Sequence, residues 1–169
     1  MNIEIVKGSV VYADCDAVVN AANSYLSFGG GLCGEIYLEA GIDELTTECT
    51  QIGSCDVGDA VITNGYNLKA KYIIHAVSPI YDFDNNPSEK LKSAYLKSLT
   101  LADKKGLKSI AFPSLGTGIN GYPLNDASEI ALTTIINYQS KNLEKCMIYC
   151  YLDEEYNIYT KLFNKLSIV

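Results

Sequence analysis
Asp16–Ile36 reads DAVVNAANSYLSFGGGLCGEI, and the architecture of the chain turns on how this stretch folds. Its first half is a short apolar run ending in small polar residues, the pattern of a buried strand whose C-terminal end carries something. Its second half places three consecutive glycines, Gly29–Gly31, ahead of a helical stretch. Adjacent glycines are costly in backbone entropy. The turn is therefore expected to approach something that leaves no room for a side chain, and Cys33 follows it one residue on.

Outward from this unit the elements alternate. NIEIVKGSVV (2–11) reads as an opening strand with a turn at Lys7–Gly8. One helix is expected over Gly31–Ala40, closed by Gly41, and another from about Asp43 to Gln51, closed by Gly53. DAVITNGY (59–66) reads as a strand with an Asn64–Gly65 turn, and AKYIIHAVSP (70–79) as an apolar strand stopped by Pro79. Ser88 is placed to cap a helix reaching about Lys105, with Leu91, Ala94, Tyr95, Ser98 and Ala102 on one face and Gly106 at its end. SIAFPSL (109–115) is the next buried strand, and Asn125 or Asp126 is expected to cap a helix to about Tyr138. KCMIYCYL (145–152) is a last strand, followed by a helix in which Tyr156, Tyr159, Phe163 and Leu166 recur at helical spacing. Such alternation implies a mostly parallel sheet covered on both faces. The expectation is one domain over residues 1–169, an α/β fold built as a three-layer α/β/α sandwich with a mixed, mostly parallel sheet.

Composition narrows the function. No apolar run reaches membrane-span length, and MNIEIVKGSV lacks the apolar core of a signal peptide, so a cytoplasmic protein is expected. The net charge of −7 argues against a partner gripped through a nucleic-acid backbone. All thirteen basic residues are lysines, a composition that fits a low-GC bacterial or phage genome. Without arginine, a phosphate group cannot be clamped by a guanidinium and must rely on backbone N–H groups and helix N-termini. The six cysteines form no C-x-x-C pair, and with His75 the single histidine, no conventional metal site is expected. Cys146 and Cys150 share one strand face and read as buried thiols.

Ligands of such sheets bind at the C-terminal ends of strands, beside helix N-termini. Two segments match, NAANSYLSFGGGLCGEI (20–36) and PSLGTGINGYP (113–123). Each offers unhindered backbone N–H groups where a helix dipole is positive, which suits an anion such as a diphosphate. Neither is a Walker A loop, and neither fits the dinucleotide fingerprint well.

DAVVNAANSYLSFGGGLCGEI resembles the signature of macro domains, whose pattern is close to D-A-I-V-N-A-A-N followed by a glycine-rich loop and a helix. SIAFPSLGTGINGYP (109–123) resembles their second loop, and GDAVITNGYNLKAKYIIHAVSPIY (58–81) the MacroD-type, O-acetyl-ADP-ribose deacetylase branch. The resemblance implies a macro domain fold that binds ADP-ribose or ADP-ribosylated protein, without a cofactor. It also implies hydrolysis of mono-ADP-ribosyl esters, on modified Glu/Asp or O-acetyl-ADP-ribose, with a non-catalytic reader as the alternative. A binder of a different nucleotide stays open as a third reading. By position it assigns Ala22, Asn23, Gly30, Gly31, Leu32 and Cys33 to the first ligand loop, with Asn23 bonding the terminal ribose. Ser114, Gly116, Thr117, Gly118, Ile119 and Asn120 fall to the second loop, and Ser9, Val10 and Leu152 to the adenine end. Asn23 and Cys33 are the positions assigned to catalysis.

Three positions depart from the family pattern. Ser9 stands where an aspartate accepts the adenine amino group, with Asp14 or Asp16 as neighbouring substitutes. Cys33 replaces an aspartate that activates water; it is either an apolar filler or, at a helix N-terminus, a thiol of lowered pKa. Asn120 replaces a loop aromatic, predicting looser or more polar packing over the distal ribose. Of the remaining polar residues, Asn20 is expected to brace the first loop, Glu35 to be solvated or supporting, and His75 to be a satisfied core residue rather than a base. Tyr151 and Leu152 either pack against adenine or belong to the core.

Overall fold
Each strand is short because its apolar run is short. The strands are β1 (Asn2–Lys7), β2 (Ala17–Ala21), β3 (Ala60–Asn64), β4 (Tyr72–Ala76), β5 (Ser109–Phe112) and β6 (Lys145–Cys150) in the computed structural model, which describes residues 1–168. The helices are α1 (Gly31–Ala40), α2 (Ile42–Ile52), α3 (Pro87–Lys104), α4 (Leu124–Asn137) and α5 (Asp153–Ser167). A single 3₁₀ turn, Val10–Tyr12, follows β1.

The strands form one sheet in the order β1-β6-β5-β2-β4-β3. All neighbours run parallel except β3 and β4, which pair antiparallel across the 65–71 connection. The sheet is thus mixed and mostly parallel, as the alternation of elements requires.

Both faces are covered, which explains the near-continuous hydrophobicity of β2. Ala17 and Val19 point toward α3, α4 and α5, where Leu91, Tyr95, Leu99, Leu132, Ile135 and Tyr159 are buried. Val18 points the other way, into Ile36, Tyr37 and Leu45 of α1 and α2 and Val10 and Val11 of the 3₁₀ turn. Complete burial of one such aliphatic side chain is worth about 1.5–3 kcal/mol, so these two layers dominate stability.

Two helix starts differ from the sequence expectation. Ser88 lies inside α3, because Pro87 takes the first helical position and Asn86, in the left-handed region at φ 51°, holds the cap. Proline suits that position, since its fixed φ is helical and its missing N–H would be unpaired anyway. In α4 the cap position is Pro123, so Asn125 and Asp126 sit within the first turn, where Asp126 complements the helix dipole.

The placement of helices creates the site. β5 and β2 are parallel neighbours, yet β5 leads to α4 on one face and β2 to α1 on the other. Their connections diverge at the carboxyl edge and leave a crevice between them, the usual ligand position in open α/β sheets.

Candidate functional site
The β2–α1 connection forms one wall. The Asn23 carboxamide oxygen accepts from the Tyr25 and Ser27 amides at 3.1 and 3.2 Å, and its Nδ2 donates to the Ser27 carbonyl at 2.9 Å. Asn23 therefore braces this loop, the role expected of Asn20. One Nδ2 hydrogen of Asn23 is left over for a ligand. Asn20 lies instead in the core beneath it, wholly buried, with Nδ2 3.1 Å from His75 Nδ1 and 3.7 Å from Cys33 Sγ. His75 is the core residue the sequence suggests.

The glycines divide into two kinds. A Cβ on Gly34 would collide with the Gly29 carbonyl, so that position is dictated by the chain's own packing. A Cβ on Gly30 would meet nothing within 4 Å. The bare backbone of Gly30 thus faces open space. Gly30 also supplies no side-chain cap to α1, and the amides of Gly31 and Leu32 donate to no protein acceptor among the described residues. Uncapped amides at a helix N-terminus are donors waiting for an anion.

Cys33, third residue of α1, turns away from this space. Its thiol donates to the Ser27 carbonyl at 3.6 Å, and the residue is 7% exposed. Burial pushes the thiol pKa up, outweighing the hydrogen bonds from Asn20 and the loop that pull it down. The lowered-pKa alternative thus fails, because desolvation disfavours the thiolate more than the helix end favours it. The geometry is that of a small filler.

The β5–α4 connection forms the facing wall. Thr117 Oγ1 donates to Ser114 Oγ at 3.0 Å, and Ser114 Oγ lies 2.9 Å from the Tyr159 hydroxyl. This anchors the base of the loop to α5. Gly116, at φ 84°, makes the turn, and its carbonyl accepts from Tyr122 N at 2.9 Å. Gly118 and Ile119 stand clear of the protein, Ile119 fully exposed, with amides that donate to no protein group among the described residues. Asn120 is committed: its Nδ2 donates to the Ser78 carbonyl and hydroxyl at 3.2 and 3.1 Å, and its carbonyl accepts from Tyr81 N. Beside it Tyr81 and Tyr122 stack, ring centroids 4.7 Å apart. Through Ser78, Tyr81 and Tyr122 the β5–α4 loop is tied to the segment that follows β4.

At the opposite end, β1 and β6 terminate side by side, with Gly8 N donating to the Cys150 carbonyl at 3.0 Å. Val10 is buried there, while Leu152 and Tyr151 are 55% and 71% exposed and so are not core residues. Ser9 Oγ accepts from Val11 N at 3.4 Å and donates to Glu35 Oε1 at 3.5 Å. The charges of Glu39 and Glu35, with burial between them in weight, raise the Tyr12 phenol. Asp16 is excluded as a substitute for Ser9: its carboxylate accepts from the Lys108 and Ser109 amides at 2.7 and 3.2 Å, at the far edge of the sheet. Ala22, nearly buried, fixes the crevice floor through its amide to the Ala76 carbonyl at 3.0 Å.

Neither glycine loop contains a charged side chain. Two surface hollows of about 580 and 570 Å³ lie elsewhere, one between α3 and α4 and one beside α2 and the β3–β4 turn. The second is lined by Asp43, Glu44 and Glu48, which would repel an anion, and neither hollow is lined by a glycine. The crevice at the β5/β2 switch point is the stronger candidate.

An α/β/α sandwich with two uncapped glycine loops facing each other across adjacent parallel strands defines a protein built to hold an anionic ligand through its backbone. The comparisons with known proteins agree. A family model described as Macro domain matches residues 19–131. A macro domain-containing protein of Caldanaerobacter subterraneus is 42% identical over 170 residues, covering 98% of this chain and 97% of the relative. The ADP-ribose glycohydrolase MACROD2 of Xenopus laevis is 42% identical over 168 residues, covering 96% of this chain but 40% of its own length. A solved Oceanobacillus iheyensis macrodomain with ADP superimposes with a TM-score of 0.92 at 35% identity, over 98% of this chain and 91% of that one. The chain belongs to the macro domain family.

Proposed function
We propose that the crevice binds ADP-ribose and that the protein hydrolyses mono-ADP-ribosyl esters, on modified glutamate or aspartate side chains or as O-acetyl-ADP-ribose. The observation that carries the ligand is the pair of glycine loops. Free amides at Gly31, Leu32, Gly118 and Ile119 offer donors to a diphosphate without any cationic side chain. The similarity to a protein named ADP-ribose glycohydrolase, and to a macrodomain solved with ADP, supports the same ligand.

The hydrolytic step relies on positioning. Asn23, held rigid by Ser27, directs its remaining N–H toward the terminal ribose, and the loop amides meet negative charge on the diphosphate. The diphosphate itself serves as the proton acceptor for the attacking water, because the protonated Cys33 thiol cannot.

That last observation also favours a second reading, a module that recognises ADP-ribose or ADP-ribosylated protein without turning it over. A time course with a Glu/Asp-linked mono-ADP-ribosylated protein separates the two. Loss of the modification supports the hydrolase; a stable modification together with ADP-ribose binding by calorimetry leaves the reader. Absence of binding rejects both.

A further inference from the structure
The geometry points to Glu35, carried on α1, as the residue that reads the base of the bound nucleotide, with Ser9 as the residue that positions it. The assignment rests on the crevice holding a nucleoside diphosphate, as proposed above.

Position comes first. The free amides lie over β5 and β2, so a diphosphate held there sends its nucleoside toward one end of the strand edge and the remaining sugar toward the other. The β4 end is bounded by the Asn120–Ser78 bonds and the Tyr81–Tyr122 stack, and it takes the terminal ribose in the reading above. The β1/β6 end is open. It lies three strand spacings from β2, roughly 14 Å at about 4.8 Å per strand. There the exposed side chains of Leu152 and Tyr151 offer apolar surface to a planar ring.

Chemistry follows. Glu35 sits one turn after Leu32, so the two share a helical face directed at the 3₁₀ turn, while Cys33 faces the core. The carboxylate is half-buried and forms no ion pair among the described residues. Its side-chain partners are Ser9, at 3.5 Å and the long limit for such a bond, and the neighbouring Tyr12 phenol at the surface. An ionised carboxylate has about four acceptor sites, and leaving them unmet when water is displaced is costly. A ring that brings an exocyclic amino group satisfies one of them. A ring with a carbonyl at that position sets acceptor against acceptor and is rejected. The site therefore selects adenine over a 6-oxopurine. Ser9 is too short to meet the base with charge. Bonded to both Val11 N and Glu35, it fixes where the carboxylate points.

Calorimetric titration of the full chain with ADP-ribose and with its hypoxanthine counterpart, inosine diphosphate ribose, tests this. The wild type is expected to prefer ADP-ribose by about tenfold or more. Glu35→Gln keeps the shape and can turn its amide N–H toward a 6-carbonyl, so the ratio should fall to about one or invert. Ser9→Ala should lower the ratio a few-fold without abolishing it. Glu35 is partly exposed, and circular dichroism confirms that each variant is folded. Equal wild-type affinity for both ligands overturns the assignment, as does a Glu35→Gln variant with the wild-type ratio. So does a preference that disappears in Ser9→Ala but survives in Glu35→Gln. Failure of the wild type to bind either ligand rejects the ligand reading and this assignment with it, whereas binding without base preference rejects only the assignment.

Discussion

Asn20 Nδ2 lies 3.1 Å from Nδ1 of His75, and His75 Nε2 lies 2.9 Å from Thr63 Oγ1. The amide nitrogen can only donate, so Nδ1 accepts. Thr63 spends its own proton on the Asn64 carbonyl at 3.1 Å, so Nε2 carries the imidazole proton. The ring is neutral, and burial pushes its pKa down to about 4, with the Glu48 charge opposing weakly. In the unfolded chain the same ring titrates near 6.5. Between these values the unfolded state binds a proton that the folded state refuses. The stability associated with His75 is therefore complete above about pH 6.5 and is lost as pH falls toward 4, by roughly 3 kcal/mol. Urea unfolding of wild type and His75→Gln at several pH values between 7.5 and 4.5 checks this. The two stability profiles should converge on acidification, and parallel profiles would contradict the neutral-core assignment.

Gly30 and Gly34 should respond in opposite ways to the same substitution. Gly34→Ala forces a methyl into the Gly29 carbonyl, and such overpacking costs about 1–3 kcal/mol. Gly30→Ala meets no atom of the protein and sits at φ −82°, so stability should change by less than about 0.5 kcal/mol. If the open space above Gly30 is where the ligand's ribose and phosphates lie, that variant should lose about tenfold or more in ADP-ribose affinity. A stable Gly30→Ala protein with unchanged affinity would move the ligand elsewhere.

The difference between these glycines shows what the sequence could and could not tell. Strand positions, the sheet's mostly parallel character and the placing of the two glycine loops between strand and helix were legible, because each rests on local patterning and on turn chemistry within a few residues. Residue roles that depend on contacts across the fold were not. Asn20 and Asn23 look equivalent in NAAN, yet β2 alternation sends Asn20 beneath the sheet toward His75, while Asn23, beyond the strand, folds back on Ser27. Glu35 was separated from Ser9 by 26 residues, and only the packing of α1 against the 3₁₀ turn brings them together. The helix starts were misplaced because Pro87 and Pro123 outrank the nearby polar residues that resemble caps.

Asp103 should be a stability residue with no part in binding. Burial pushes its carboxyl up, but bonds from the amides of Lys141, Asn142 and Leu143 and from the Tyr138 hydroxyl bring it below its usual value. The stability tied to it is present at neutral pH and is lost as pH falls through that lowered value. Asp103→Ala leaves three amides without partners and should cost roughly 3 kcal/mol, with Asp103→Asn intermediate because one oxygen remains. Chemical denaturation measures both, and calorimetry should find ADP-ribose affinity unchanged in Asp103→Asn.

The Cys33 thiol should be unreactive in the native protein. A nucleophilic cysteine at a helix N-terminus would be partly thiolate at neutral pH and would react with a thiol reagent within its first exposure. Here the residue is 7% exposed, and its thiol donates to the Ser27 carbonyl and has its pKa pushed up by burial. All six cysteines are buried and free, so denatured protein should titrate six thiols, whereas native protein at pH 7.5 should label only as it opens. Mass spectrometry of the labelled peptides identifies which sulfur reacts first. Slow labelling of Cys33, with ADP-ribose giving little further protection, supports a thiol that takes no part in the proposed hydrolysis. Rapid native labelling at Cys33, blocked by ADP-ribose, would instead make the thiol a participant and reverse the reading of this position.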